Sequence, residues 1–557
     1  MPLAESTAEV KNTYSHGSKL IFICIGLFMA ALCVGLDRAI INTAVPKITT
    51  EFNSLSDIGW YGSAYLLTSS CFQLMYGKLY AEVNIKWLFL IAVTIFEVGS
   101  IVCAAAPSSL ALIVGRAVAG LGSAGILVGA FTIIAQSVPL HELPKYTGTL
   151  AGAAGIAQMV GPTIGGVLTD KATWRWCFWI NLPLGGITIA TVFFLVHPPP
   201  RKDKKQKTIK HPLKQFDILG NIFFIPATVS LLLALEWGGG QYQWSNWRII
   251  LLLSIFSIFI LVWLYIQHRQ GDKATLPLRI IKMRSMACAV WFTFCISSLL
   301  YIFLAYVAVW FQTVRNVSAF QSGINFLAIT VAQSVSVIMS GFFTSKIGYY
   351  VPQMITSTVV CSLASGLISR FSIATSNAYW ICSLVLLGLG MGIGLQQPVM
   401  AAQTVLAGGD VAIGTSVVIF MITMSGTIFY SVGNSVLQDR LIHELSRRVP
   451  DVDPSVVVGA GANNLVDAMR KIYPQYVDGI LASYEAALQR VFLISVILAC
   501  LSAFGSFFIE WRSVKKDKTP KDASGDGETE GCEVVKDETG RGKTSSDVRG
   551  EASTSAP

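Results

Sequence analysis

Gly148–Pro183 reads GTLAGAAGIAQMVGPTIGGVLTDKATWRWCFWINLP. The stretch is apolar enough to cross a membrane, yet its first part is threaded with glycine and holds Pro162. It ends in Trp174-Arg175-Trp176, followed by Asn181 and Pro183. A helix in lipid gains nothing from glycine unless another helix packs closely against it or it must bend. The combination points to a moving part in a membrane transporter.

The composition of the whole chain agrees with a membrane setting. Of 557 residues, 53% are hydrophobic and 13% charged, with a mean hydropathy of +0.59. Soluble domains carry about twice that charged fraction, so the length divides better into spans of roughly 20 residues than into soluble domains. The net charge of +9 does not argue for nucleic acid, because the basic residues are confined to loops and tail, the positive-inside pattern. The cysteines show no CxxC and no metal spacing, and all but Cys532 lie in apolar runs as small packing residues.

Apolar segments fall at 19–41, 58–80, 87–106, 109–137, 147–170 and 176–197. Two more lie at 213–235 and 247–267, and six at 287–312, 320–345, 350–370, 378–408, 411–437 and 489–511. The expected fold is all-α and integral to the membrane, with fourteen transmembrane helices: two six-helix halves and a two-helix insertion. The expected divisions are a cytoplasmic head (1–18), an N-terminal half (19–197), and basic linkers with the inserted pair (198–286). A C-terminal half (287–511) and a disordered cytoplasmic tail (512–557) follow. Lysine and arginine in the two linkers and the tail place both termini inside. The outer loop 438–488 breaks the pattern with Arg440, Arg447, Arg448, Arg470 and Lys471, but long loops are largely exempt from the charge rule. It reads either as amphipathic helix on the outer surface or as a solvated loop. Asn316-Val-Ser318 is a formal glycosylation sequon, but a very short outer loop argues against its use. Glycine-led basic turns recur at Gly77-Lys78 and at Gly341 to Gly348, in the same place of each six-helix block. That repeat fits halves related by an axis along the membrane normal.

Charged and amide side chains inside the spans are the candidate functional residues. Asp37 and Arg116 enter their spans from the outer side to similar depth, so they are placed to pair. As a functional pair they would handle protons or substrate; as a structural one they would only join helices, and Asp37 also reads as a charge near enough to the helix end to snorkel. Glu97 lies near the middle of its span, where a carboxyl has no interface to reach, which suits a proton carrier or a buried structural acid. Gln396 and Gln397 precede Pro398, and Gln403 follows; with Gln158 they suit either contacts to polar groups of an apolar substrate or hydrogen bonds between helices. No phosphate-binding loop, zinc-protease motif or nucleophile elbow is visible. Neither ATP-driven nor enzymatic chemistry therefore has a motif to rest on, and no metal or cofactor is expected.

These residues resemble the major facilitator superfamily, and within it the fourteen-helix drug:proton antiporters common in filamentous fungi. The resemblance covers roughly residues 19–511. Leu36-Asp37, Asn42 and Ala44-Val45-Pro46 are similar to the first-helix motif, and Arg116, Gly120 and Gly122 to the fourth-helix motif assigned to proton transfer. Gly152, Gly155, Gly161, Pro162, Gly165 and Gly166 resemble the antiporter motif of helix five. Trp174, Arg175, Trp176, Asn181 and Pro183 match a further signature turn. Two positions depart from the pattern: Ala81 stands where the loop after helix two carries an acid, and Arg38 replaces a small or hydroxyl residue. Arg38 in that place would neutralise Asp37 and shift proton duty to Glu97.

The resemblance implies proton-coupled efflux of a secondary metabolite, toxin or drug by alternating access, with Asp37, Glu97 and Arg116 in proton coupling. The implied partners are the small-molecule substrate, protons and the lipid bilayer, with no nucleic acid, for a monomer in the plasma membrane. Uptake or vacuolar transport of siderophores or amino acids, in a vacuolar or vesicle membrane, is the alternative within transport. A non-transporting sensor should carry a larger cytoplasmic domain.

Overall fold

The computed structural model describes residues 18–54, 57–196, 217–238, 242–459 and 465–515. Most of the expected head (1–17), the linker 197–216 and the tail from 516, with Cys532, lie outside the described residues. The first half comprises α1 (Ser18–Phe52), α2 (Ile58–Glu82), α3 (Ile85–Ala104), α4 (Ser109–Ser137) and α5 (Leu143–Lys171), then a short α6 (Trp176–Trp179) running into α7 (Asn181–Leu195). The insertion is α8 (Ile218–Trp237) and α9 (Trp247–Gln270), followed by α10 (Leu278–Lys282). The second half comprises α11 (Arg284–Thr313), α12 (Ala319–Ile347), α13 (Val351–Ile368), α14 (Asn377–Leu395) continued by α15 (Gln397–Val405), and α16 (Asp410–Arg448). The short α17 (Pro454–Gly459) and α18 (Leu465–Ile472) precede α19 (Val477–Phe508).

Among the described residues, thirteen helical spans are long and apolar enough to cross a membrane, with α6–α7 and α14–α15 counted as one each. The fourteenth expected span, α2, is an unbroken helix of 25 residues that falls short on hydropathy. The reason is physical. Its Ser69, Ser70, Gln73 and Lys78 are buried against protein, so this helix is not required to be lipophilic all round. Several helices start on a side-chain oxygen that accepts from the first free backbone N–H, as Asn84, Ser108 and Asp217 do. Two helices outrun their apolar segments. α1 continues through Pro46 to Phe52, and α16 continues to Arg448. The described residues of segment 438–488 thus hold the last turns of α16, then α17, α18 and the first turns of α19.

In the first half α3 packs on α4, α1 on α5 and α7, and α2 on α4. In the second half α12 packs on α14, and α11 on α16 and α19. The halves meet through α5 with α12 and through α2 with α16. The inserted α8–α9 pair lies outside, with α8 against α2 and with Ile250, Ile258 and Leu261 of α9 exposed.

The end carrying the α2–α3 and α12–α13 turns is here called basal, and the opposite end distal. The tightest junctions between the halves gather towards the basal end. A Cβ on Gly341 of α12 would lie 2.3 Å from the carbonyl oxygen of Pro144 on α5. One on Gly77 of α2 would lie 2.0 Å from Ser416 Oγ of α16. Ser345 donates to the His141 carbonyl, and Gln403 Nε2 donates to the Phe131 carbonyl at 3.3 Å. Below them, Arg279 of α10 grips both oxygens of Asp410, at 2.6 and 2.9 Å, and reaches Asp272 Oδ1 at 2.6 Å. Lys78 of α2 donates to the Asp272 carbonyl at 2.9 Å. Donating hydrogen bonds to Asp410 holds the Arg279 guanidinium above its usual range.

Candidate functional site: a buried charge cluster in the first half

The cluster is built where α1, α3, α4 and α7 converge. Glycines permit the approach. A Cβ on Gly99 of α3 would lie 2.3 Å from the Ala119 amide nitrogen of α4. One on Gly122 of α4 would lie 2.4 Å from the Phe96 amide nitrogen. Such spacing needs glycine, since no real Cβ fits there.

Asp37 and Arg116 form an ion pair at 2.6 Å, with side chains 0% and 2% exposed. Asp37 therefore does not snorkel, and with α1 running on to Phe52 it is far from the helix end. The pair is fully dressed. Arg116 Nε donates to the Tyr61 carbonyl at 2.9 Å, and its guanidinium lies 4.4 Å from the centre of the Tyr65 ring. Asn181 Nδ2 donates to the other Asp37 oxygen at 3.2 Å and to Ser100 Oγ at 3.1 Å. A buried ion pair survives only with such extra hydrogen bonds, because each charge alone costs several kcal/mol to desolvate.

Glu97 stands beside this pair, 8% exposed. Its carboxyl seats on α7, where a Cβ on Gly185 would lie 1.9 Å from Oε1. The Cys33 thiol lies 4.0 Å from the same oxygen and 3.8 Å from the Asn181 carbonyl oxygen. Oε2 makes no hydrogen bond. Asp37, Glu97 and Arg116, three residues from three helices, are thus brought into one cluster. Asn181 and Ser100 complete it. Sequence reasoning placed Asn181 only in the signature turn and passed over Ser100, although Ser100 follows Glu97 by one helical turn.

Arg38 behaves otherwise than expected. It does not neutralise Asp37, whose oxygens go to Arg116 and Asn181. Successive residues on a helix point about 100° apart, and Arg38 turns to α2. There its NH2 lies 3.5 Å from Ser69 Oγ and its guanidinium 5.4 Å from the Tyr65 ring centre.

The glutamines separate. Gln397 is engaged within the second half: its Nε2 donates to Ser340 Oγ at 2.7 Å and to Gln353 Oε1 at 2.9 Å, and its Oε1 accepts from Thr344 at 3.2 Å. Gln403 faces α4 across the basal junction. Gln396 is buried at the α14–α15 break, with its Oε1 unbonded. Gln158 is exposed on α5.

The antiporter-motif glycines divide by partner. Gly152 and Gly155 face Ile338 and Ser334 of α12, whereas Gly161 and Gly165 face Ala39 and Thr43 of α1. Gly166 meets nothing within 4 Å, and Pro162 sits inside α5 without ending it. The signature turn is fastened at the distal end of α1. Trp174 Nε1 and Arg175 NH1 donate to the two oxygens of Glu51 at 2.6 and 2.8 Å. The Trp174 hydrogen bond, reinforced by Arg175, holds the Glu51 carboxyl below its usual range. Trp176 is exposed, and Pro183 lies in the first turn of α7. Asn316 is exposed at φ +50°, and the Ser318 hydroxyl of its sequon caps α12. No group of three His, Cys, Asp or Glu able to hold a metal occurs among the described residues.

Residues 27–431 match the family model of the Major Facilitator Superfamily. The chain belongs to that superfamily. This facilitator is 44% identical over 517 residues to "Efflux pump aflT" of Aspergillus parasiticus, covering 93% of this chain and 100% of the relative. It is 46% identical to "MFS-type efflux pump MFS1" of Arthroderma benhamiae, covering 92% and 96%. It is 43% identical to "Efflux pump roqT" of Penicillium rubens, covering 92% and 94%. Among solved structures, the proton:xylose symporter XylE aligns with a TM-score of 0.58 at 12% identity, covering 89% of this chain and 97% of that one. The human organic anion transporter MFSD10 aligns at 0.53 and 14%, covering 87% and 100%. At such identities the likeness is one of fold. The facilitator is a multi-pass membrane protein.

Proposed function

We propose that this facilitator exports small organic compounds, of the secondary-metabolite, toxin or drug class, and is driven by the proton gradient through alternating access. Near full-length similarity to several fungal relatives named as efflux pumps supports export. The cluster of Asp37, Arg116 and Glu97 supports proton coupling. Asp37 holds Arg116 in a water-poor site and the Glu97 carboxyl stands beside that pair, so a proton arriving on either carboxyl changes the balance of the pair. Releasing Asp37 from Arg116 would free α1 and α4 to shift against one another. With the basal end taken as cytoplasmic, the basal junctions close the inner side, as in the outward-facing stage of the cycle. Gln158 and Gln396 are the glutamines left for cargo, while Gln397 and Gln403 serve helix junctions. The proposed setting is the plasma membrane, with a monomer working alone.

Deleting the gene and comparing metabolites retained in cells with those released to the medium tests the reading. Retention of one or more compounds, or new sensitivity to an added one, is expected. An unchanged profile with unchanged resistance sinks it.

A further inference from the structure

Arg38 is the intramembrane charge that the cluster leaves over. It has one weak neutral contact, to Ser69 Oγ at 3.5 Å, and its Nε is buried without a partner. The ring of Tyr65 is within reach of both guanidiniums, 4.4 Å from Arg116 and 5.4 Å from Arg38. Asp37 answers only one of them. A guanidinium carries five N–H donors and cannot shed its charge, so at this depth it requires an anion.

Its direction identifies where that anion comes from. α1 meets α5 along Gly35, Ala39 and Thr43. Asp37, about 160° from Gly35 around the helix, meets α4 and α7. Arg38 falls in the arc between these faces, about 60° from Gly35 on the side away from Ala39 and Thr43. That arc is flanked by α2 and α5, which make the largest crossings of the first half to the second, with α16 and α12. The arc therefore faces the space enclosed between the halves, and Arg38 is partly exposed to it. Gln158 of α5 lies between that helix's α12-facing and α1-facing stripes and looks into the same space.

We propose that Arg38 is the specificity-determining residue of the central cavity, and that the exported compound carries an acidic group, such as a carboxylate, that pairs with its guanidinium. This rests on the export reading above and narrows its substrate class. An arginine fork matches a planar carboxylate through two parallel hydrogen bonds. The Tyr65 ring supplies the apolar face beside it.

The test uses the full chain expressed in yeast lacking its own drug pumps. Intracellular retention is measured for matched pairs of aromatic carboxylic acids and their primary amides. The wild type is expected to export acids better than amides by about ten-fold, the step set by one well-formed charged hydrogen-bond pair. Arg38→Gln is expected to erase that preference while amide export persists, and Arg38→Lys to keep part of it. Equal export of acids and amides by the wild type overturns the proposal and leaves export standing. So does an Arg38→Gln variant that loses acids and amides alike, since Arg38 would then serve the helix machinery and not the cargo. A wild type that moves neither member of any pair overturns both readings.

Discussion

At the scale of single residues, the energetics of the cluster are dominated by what is left when one member is removed. Arg116→Ala leaves a carboxylate, and Asp37→Ala a guanidinium, in a site from which water is excluded. Each is expected to cost about 3–5 kcal/mol. The double variant removes both charges and is expected to recover a large part of that loss in thermal unfolding of the detergent-purified protein, whereas gradient-driven efflux stays low. Additive losses in the double variant would mean that the two charges are not paired. Gly185 offers a second test. A methyl there would collide with the Glu97 carboxyl, while one on the neighbouring Gly186 would meet nothing within 4 Å. Gly185→Ala is expected to lose about 1–3 kcal/mol and to depress proton-driven transport, with Gly186→Ala near the wild type. That difference is not legible in the sequence, where the two glycines are adjacent and look alike. Asp37 and Arg38 present the same difficulty. Both are charges in one apolar run, and only the helix phase against its packed neighbours sends one into the cluster and turns the other to Ser69 of α2.

At the scale of elements, the spans were legible because lipid demands long apolar runs, and the missed features follow from the limits of that demand. α2 escapes it by being buried in protein, so its polar face reads as a weak span. α1 and α16 keep their backbone hydrogen bonds beyond the apolar region, since a helix does not end where hydropathy does. The α5–α12 crossing was foreshadowed by the glycines of α5, but its second partner, Gly341, read only as part of a basic turn. Gly341→Val is expected to wedge the crossing at the Pro144 carbonyl, whereas Gly166→Ala, inside the motif but against open space, is expected to transport normally. Efflux measured on both separates glycines that pack from those that only belong to the motif. The signature turn makes a pH prediction. The Glu51 carboxyl is held below its usual range, so its stabilising contribution is complete above the ordinary carboxylate value and is lost only as pH falls through the lower folded value. Hydrogen exchange of residues 172–180 is therefore expected to be unchanged between pH 7 and 5. Glu51→Gln is expected to speed it across that whole range, because the neutral amide answers Trp174 and Arg175 poorly.

At the scale of the molecule, the two halves are held at the basal end by helix crossings and by a charged strap from the insertion. Ala81, in the position where an acid is usual, packs against Gly409 and offers no charge to α16. Arg279 takes over the N-terminus of α16 by gripping Asp410, and Lys78 ties α2 to the same strap through the Asp272 carbonyl. Half-exposed pairs are individually weak, about 0–1 kcal/mol, but about 1 kcal/mol shifts a two-state balance roughly five-fold. The Arg279 value is raised, so its charge is present throughout the physiological range. Arg279→Gln and Asp410→Asn are each expected to populate a form with the basal ends apart. The measurement is the distance between spin labels at Glu142 on the α4–α5 turn and Lys346 at the end of α12. The wild type should give one short distance, and either variant should add a longer one. The double variant should add no more of it than Arg279→Gln does, because that substitution already removes the contact with Asp410. Exchanging the charges, with Arg279→Asp and Asp410→Arg together, should return the short distance. A distribution unchanged by every variant would assign the closure to the α5–α12 and α2–α16 crossings alone and reduce the strap to a surface ornament.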